Sequence, residues 1–158
     1  MYSCSKPVTA IAAMMLFERG LLHLNDEAEK YLPELSGCFL LNESEQKVAP
    51  KKKITIRHLL TMTAGFTYDV DTEPIRKLQR DNPLADLRGF ISAFVRSPLS
   101  FEPGTEFQYG LCYDVLAGVI EAAAEKKFSE FVKENIFQPL EMYNSNFDNR
   151  KTNFPQMY

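Results

Sequence analysis

The stretch Met1-Tyr-Ser3-Cys-Ser-Lys6-Pro7-Val-Thr9-Ala-Ile-Ala-Ala-Met-Met-Leu-Phe17-Glu-Arg-Gly20 decides how the rest of this chain is read. Between Pro7 and Phe17 the one polar side chain is Thr9. A helix that is apolar all round needs cover on every side. The run is shorter than the ~20 residues a bilayer span requires, so it reads as the buried central helix of a folded domain. Pro7 fixes its start, because proline has no N–H to donate and is tolerated only in the first turn. Regular helix therefore begins no earlier than about Cys4 or Ser5, with Ser3 at the positive end of the helix dipole. Gly20 suits the left-handed position that ends it.

Ser3 and Lys6 stand three residues apart, the spacing that places two side chains on one helix face. A hydroxyl is a weak nucleophile at its own pKa, and a neighbouring amine can serve as its base. N–H groups at a helix mouth can stabilise a developing oxyanion. Spacing alone is weak support, since a Ser-x-x-Lys pair arises by chance about once in a chain of this length. The chain carries such a decoy at Ser44-Glu-Gln-Lys47, in a polar stretch with no apolar helix behind it. On spacing alone, an N-cap serine followed by a solvated lysine is the better reading. The order of the blocks downstream changes that balance.

With 158 residues the chain has the length of one domain. A hydrophobic content of 45% and a charged content of 25% are those of an ordinary globular protein. The formal net charge of −3 leaves no basic footprint for nucleic acid, and Lys51-Lys52-Lys53 reads as a solvated loop. Cys4, Cys38 and Cys112 are too few and too scattered for a disulfide framework or a zinc site, and His23 and His58 read as structural. No metal, no organic cofactor and no transmembrane segment are expected. The apolar run lacks the upstream basic region and downstream cleavage pattern of a signal peptide, and nothing in the sequence marks a compartment.

Further along, Asn25 and Asp26 are expected to cap a turn of helix over 27–32 that Pro33 closes. Residues 36–53 read as a loop, with the apolar patch 38–41 packed down. Thr55 is a good N-cap for a helix over 56–62, with Gly65 past its end. A helical stretch is expected around 73–79 inside the loop 67–83. Apolar residues at 84, 87, 90, 91, 94 and 95 trace one face of a helix ending at Arg96. Pro103-Gly104 suits a type II turn. Helices are then expected from Leu111 to about Lys127 and from Phe128 to Ile136, with irregular chain over 141–158, where Tyr143 reads as a packing aromatic. No alternating strand run is evident.

Taken in order, these blocks resemble the serine β-lactamase, penicillin-binding protein and esterase family, in its class C-like branch. The quoted residues are Ser3-Cys-Ser-Lys6-Pro7 through Glu18-Arg-Gly20, Leu22-His-Leu24-Asn-Asp26, Tyr31-Leu-Pro33, Ile54-Thr-Ile-Arg-His-Leu-Leu60 with Thr63-Ala-Gly65, Phe101-Glu-Pro-Gly-Thr105, Tyr109-Gly-Leu111 and Pro139-Leu-Glu-Met142. The resemblance covers roughly residues 1–147, and an ordered series is far more specific than any one motif. It implies that Ser3 is the acylated nucleophile, Lys6 its base or proton relay, and Tyr109 the phenol of the second motif. The substrate class it implies is a small ester, a β-lactam or a peptide.

The departures are informative. Leu111 stands where β-lactamases carry a substrate-binding asparagine, which tilts the expectation toward an esterase-like hydrolase. Ala64 and Glu141 replace a usual serine and a usual glycine. The family's first strands and its third motif, a Lys-Thr-Gly or His-x-Gly strand that supplies an oxyanion-hole N–H, have no counterpart here. Residues 1–158 are therefore expected to form a single partial domain, mainly α: the helical portion of the β-lactamase/transpeptidase-like α/β fold, with most of the antiparallel sheet absent. Little or no turnover is expected of such a fragment. The rival reading is a non-catalytic helical interaction or sensor module derived from that fold. Uncovered apolar faces would then be surfaces for partners or for self-association.

Overall fold

A computed structural model describes residues 2–147. Tyr2–Ser5 form one 3-10 turn that runs directly into helix α1, Lys6–Glu18, with Pro7 in its first turn. Thr9, the lone polar residue of the apolar run, is buried and donates its hydroxyl to the Ser5 carbonyl one turn back, at 3.4 Å. At the far end the Gly20 N–H bonds the Phe17 carbonyl and the Leu21 N–H the Leu16 carbonyl, each at 3.0 Å. That is the Schellman pair, and Gly20 takes the φ of +69° it requires.

The helix covered on every side is not α1. On α1 only Thr9, Ala12, Ala13 and Leu16 are buried. Ile11 is 52% exposed, and Met14 and Phe17 are 37% exposed. The enclosed helix is α5, Cys112–Ala124, in which Cys112 and Val115 through Ile120 are all buried. It lies against α1, α2 (Ile56–Leu60), α4 (Leu87–Phe94) and α6 (Phe128–Val132). Ala12 and Ala13, fully buried, keep the α1 face small.

Between α1 and α2 the chain departs from expectation in three places. Residues 28–30 form a 3-10 turn, and Asp26 does not cap it. Its carboxylate instead accepts from the His23 N–H at 3.0 Å and the Tyr31 hydroxyl at 2.6 Å. Pro33 opens the next 3-10 turn, Pro33–Gly37, as its fixed φ permits at a helix start. The stretch read as loop contains a small antiparallel hairpin, β1 (Leu40–Leu41) and β2 (Lys47–Val48), with Leu40 opposite Val48. Asn42 shapes its turn by accepting from the Ser44 and Gln46 N–H groups at 3.0 and 2.8 Å. Two-residue strands are too short to show alternation, so no periodicity could have revealed them. The decoy pair is thereby placed away from any helix, Ser44 in the turn and Lys47 in β2.

Thr55 caps α2 as expected, reciprocally with His58. The His58 N–H bonds the Thr55 hydroxyl at 3.3 Å, and the Thr55 N–H bonds the His58 ring Nδ1 at 3.2 Å. The helix ends at Leu60, and Met62, not Gly65, takes the left-handed position after it, at φ +55°. Gly65 is needed for a different reason: a Cβ there would lie 2.6 Å from the Phe101 carbonyl oxygen. Helix α3 spans Glu73–Asp81. Helix α4 starts at Leu87 rather than Leu84, because Asp86 caps it through the Gly89 N–H at 2.9 Å, and Leu84 is left 91% exposed.

The turn at 102–105 has the expected form. Thr105 N–H bonds the Glu102 carbonyl at 3.1 Å, and Gly104 lies at φ +85°. α6 continues as one π-helical turn, Lys133–Phe137. Residues 141–147 are irregular, as expected, and Tyr143 is exposed rather than packed. The readings over 148–158 fall outside the described residues.

Candidate active site

Three elements converge at the start of α1. The 3-10 turn carries Ser3, the first residue of α1 is Lys6, and Tyr109 stands just ahead of α5. The Lys6 ammonium donates to the Ser3 hydroxyl at 3.3 Å. The Ser3 hydroxyl is also hydrogen-bonded to the Tyr109 hydroxyl, although 106 residues separate the two in sequence. The Lys6 Nζ lies 4.9 Å from the centroid of the Tyr109 ring, within cation–π range. The structure thus brings together all three residues that the motifs single out. Ser3 and Tyr109 are exposed and Lys6 is half-buried, so the hydroxyl faces an open surface.

Local sequence explains the arrangement. Pro7 cannot sit deeper than the first turn, so the chain before it closes as a tight 3-10 turn and sets Ser3 one turn ahead of Lys6. Tyr109 is placed by backbone pairing. Gln108 N–H bonds the Met62 carbonyl at 3.0 Å and Leu111 N–H the Thr67 carbonyl at 3.2 Å. Gly110 lets these two segments touch: a Cβ on it would overlap the Phe66 carbonyl oxygen.

The surroundings of Tyr109 lower the pKa of its phenol. Its hydrogen bond with Ser3, and then that with Lys6, hold the phenol below its ordinary pKa of 10.0, while the Asp114 carboxylate opposes the shift. Asp114, in the first turn of α5, is itself pushed up by burial, an effect partly offset by the Lys6 charge. Burial raises the Cys112 thiol to about 11, which leaves it an inert core group.

Beside the triad opens a cavity of about 450 Å³ whose lining includes Lys6, Thr9, Tyr68, Leu111, Asp114 and Phe128. Sequence reading had assigned no role to Tyr68 or Asp114. Tyr68 lies in a loop without periodicity, and Asp114 reads as an ordinary first-turn acid. No signal in one sequence pairs either with Ser3. Among the described residues no group of three His, Cys, Asp or Glu side chains is arranged to hold a metal ion. No helix among them is long and apolar enough to cross a membrane.

The β-lactamase family model matches residues 1–156. This chain belongs to the β-lactamase family. Within that family it is 33% identical to lovastatin esterase of Penicillium rubens over 152 residues, which make up 92% of this chain and 38% of the esterase. Acyltransferase mokF of Monascus pilosus is 31% identical, over 92% of this chain and 37% of its own. Among solved structures, EstCE1, a hydrolase with promiscuous acyltransferase activity, matches with a TM-score of 0.73 and 32% identity over 88% of this chain and 36% of its own. A penicillin-binding protein of Bacillus halodurans matches with a TM-score of 0.69 and 28% identity, over 95% of this chain and 43% of its own. The chain therefore spans little more than a third of the length of these two curated relatives. Its mainly helical make-up, with one short hairpin and one isolated β-bridge among the described residues, is the helical part of the β-lactamase/transpeptidase-like fold.

Proposed function

We propose that this chain carries the nucleophile and the proton carrier of a β-lactamase-family serine hydrolase that acts on esters through an acyl-enzyme on Ser3. The observation that supports it is the meeting of the Ser3 hydroxyl with Lys6 and Tyr109 across 106 residues of sequence.

In the first step the Tyr109 phenolate takes the Ser3 proton as Oγ bonds to the substrate's carbonyl carbon, whose π electrons move to oxygen. The Lys6 ammonium favours the phenolate before transfer and holds Oγ in line. When the tetrahedral species collapses, the carbon–oxygen bond to the alcohol breaks, and the leaving oxygen takes the proton back from Tyr109. Water, deprotonated by the same phenolate, then bonds to the acyl carbon; the bond from that carbon to Ser3 Oγ breaks, Oγ takes the proton back from Tyr109, and the acid is released. An alcohol in place of water would make the reaction an acyl transfer. Leu111 at the asparagine position, and the esterase and acyltransferase relatives, favour a plain ester over a β-lactam or a D-Ala-D-Ala peptide. Parallel assays on a short-chain ester, a cephalosporin and such a peptide decide between the three.

The isolated 158-residue chain is proposed to turn over little substrate, since the family's second oxyanion donor comes from a strand with no counterpart among the described residues. One lost donor costs about 10²–10³ in rate. A fluorophosphonate probe followed by intact-mass measurement tests the proposal. The expected result is slow, stoichiometric labelling at Ser3 that Ser3→Ala abolishes and Tyr109→Phe slows by about 10²–10⁴. Equal labelling of the Ser3→Ala variant would refute the assignment of the nucleophile. Rapid labelling of the parent chain would refute the claim of low activity.

The exposed side of α1 supports a second property. Ile11, Met14 and Phe17 form an uncovered apolar stripe, and in isolation this face is proposed to pair with a second copy of the chain.

A further inference from the structure

Tyr109 is exposed and stands on a segment without regular structure, just ahead of α5. A phenol in such a place has rotamers that would swing it away from Ser3 and Lys6. One side chain outside the Ser3–Lys6–Tyr109 set limits that freedom. Tyr68 lays its ring beside that of Tyr109, with centroids 5.8 Å apart and planes tilted by 35°, a separation within the range of aromatic contact.

The contact follows from how the backbone is fixed. The chain over 65–69 is tied to two other segments, Leu111 N–H to the Thr67 carbonyl at 3.2 Å and Ser100 N–H to the Gly65 carbonyl at 2.9 Å, and is turned on itself by Asp69 N–H to the Thr67 hydroxyl at 3.2 Å. Gly110 allows the carbonyls of Phe66 and Thr67 to lie directly on it. Tyr68 is the next residue, so its ring has little choice but to meet Tyr109. It also lines the cavity that Lys6 and Leu111 enter.

We propose that Tyr68 is a positioning residue, whose ring holds the Tyr109 phenol against Ser3 and Lys6. This rests on the reading of Tyr109 as the proton carrier. The polar and charged groups facing Tyr109 are Ser3 from the 3-10 turn, Lys6 from α1 and Asp114 from α5, with Tyr68 alongside from the loop. Of these, Ser3 and Lys6 favour the phenolate and Asp114 opposes it. Removal of the Tyr68 ring lets the phenol drift from Ser3 and Lys6 into water, so its pKa moves up toward 10.0. Restoring a ring without its hydroxyl restores the position.

The test uses the 158-residue chain labelled with ¹³Cζ-tyrosine, with Tyr109→Phe identifying the Tyr109 resonance. Its titration midpoint is compared in the parent, Tyr68→Phe, Tyr68→Leu and Tyr68→Ala proteins. Tyr68 is 53% exposed, so these changes are tolerated by the fold. The expected result is an upward shift of the midpoint for Ala and a smaller one for Leu, with Phe indistinguishable from the parent. The pH profile of Ser3 labelling shifts in the same order. An unchanged Tyr109 midpoint in folded Tyr68→Ala or Tyr68→Leu protein overturns the proposal, as does a Phe variant that behaves like Ala. Absent labelling in the parent would instead count against the acyl-transfer reading, and the resonance titration would still decide whether Tyr68 holds Tyr109.

Discussion

His58, which lacks ligand-like partners in the sequence, serves in space to complete a helix cap. Its ring Nδ1 accepts from the Thr55 N–H while its own N–H bonds the Thr55 hydroxyl, so the neutral ring is the form that completes the cap. Burial, with Lys52 and Arg57 nearby, holds its pKa below 6.5. The unfolded chain therefore takes up this proton at a higher pH than the folded one. Stability is full above about pH 6.5 and falls as pH drops from there toward the folded pKa. A melting series between pH 7.5 and 5 should show that loss, and His58→Gln should flatten it. The carboxylates held low by hydrogen bonds, Asp26 and Asp86, act at lower pH and do not obscure the window. Thr55→Ala is expected to cost about 1 kcal/mol in denaturant unfolding.

Among the elements, α5 shows what period and propensity do reveal. Its apolar residues at 111, 115, 116, 119, 120 and 123 predicted a helix, and the helix is present over 112–124. What the pattern did not reveal is that α5, not α1, is enclosed by the others. Both helices are strongly apolar, and which one receives neighbours on every side depends on where α2, α4 and α6 are folded back. Leu116→Ala, at a fully buried position, is expected to cost about 2–5 kcal/mol. Met14→Ala, on the exposed side of α1, should cost well under half of that. Equal losses in urea unfolding would contradict this assignment of the core. Helix ends are less legible in the sequence than helix bodies. Asp86 sets the start of α4 and Met62 follows the end of α2, although the apolar spacing and Gly65 suggested other limits.

At the scale of the molecule, the described residues leave one side of α1 exposed, and the chain spans little more than a third of the two fungal relatives. An apolar stripe of this kind drives association when nothing else covers it. Sedimentation velocity is expected to show concentration-dependent self-association that rises with sulfate and is reduced by Ile11→Lys. A strictly monomeric parent across the concentration range would rule out the pairing proposed for this face.

The family and the proposed site residues Ser3, Lys6 and Tyr109 are legible in the sequence, because they rest on local motifs and on the order of those motifs along the chain. Proline in a first turn, side chains three apart and Pro-Gly at a turn have the same consequences in any fold. The order of such blocks along the chain identifies their common origin. Tertiary structure alone decided the rest. It brought Tyr109 to Ser3 across 106 residues, set Tyr68 against Tyr109, placed Asp114 near Lys6, and chose α5 as the enclosed helix. Those are distances between segments remote in sequence. They arise from how the helices share one core, which no window of the chain contains.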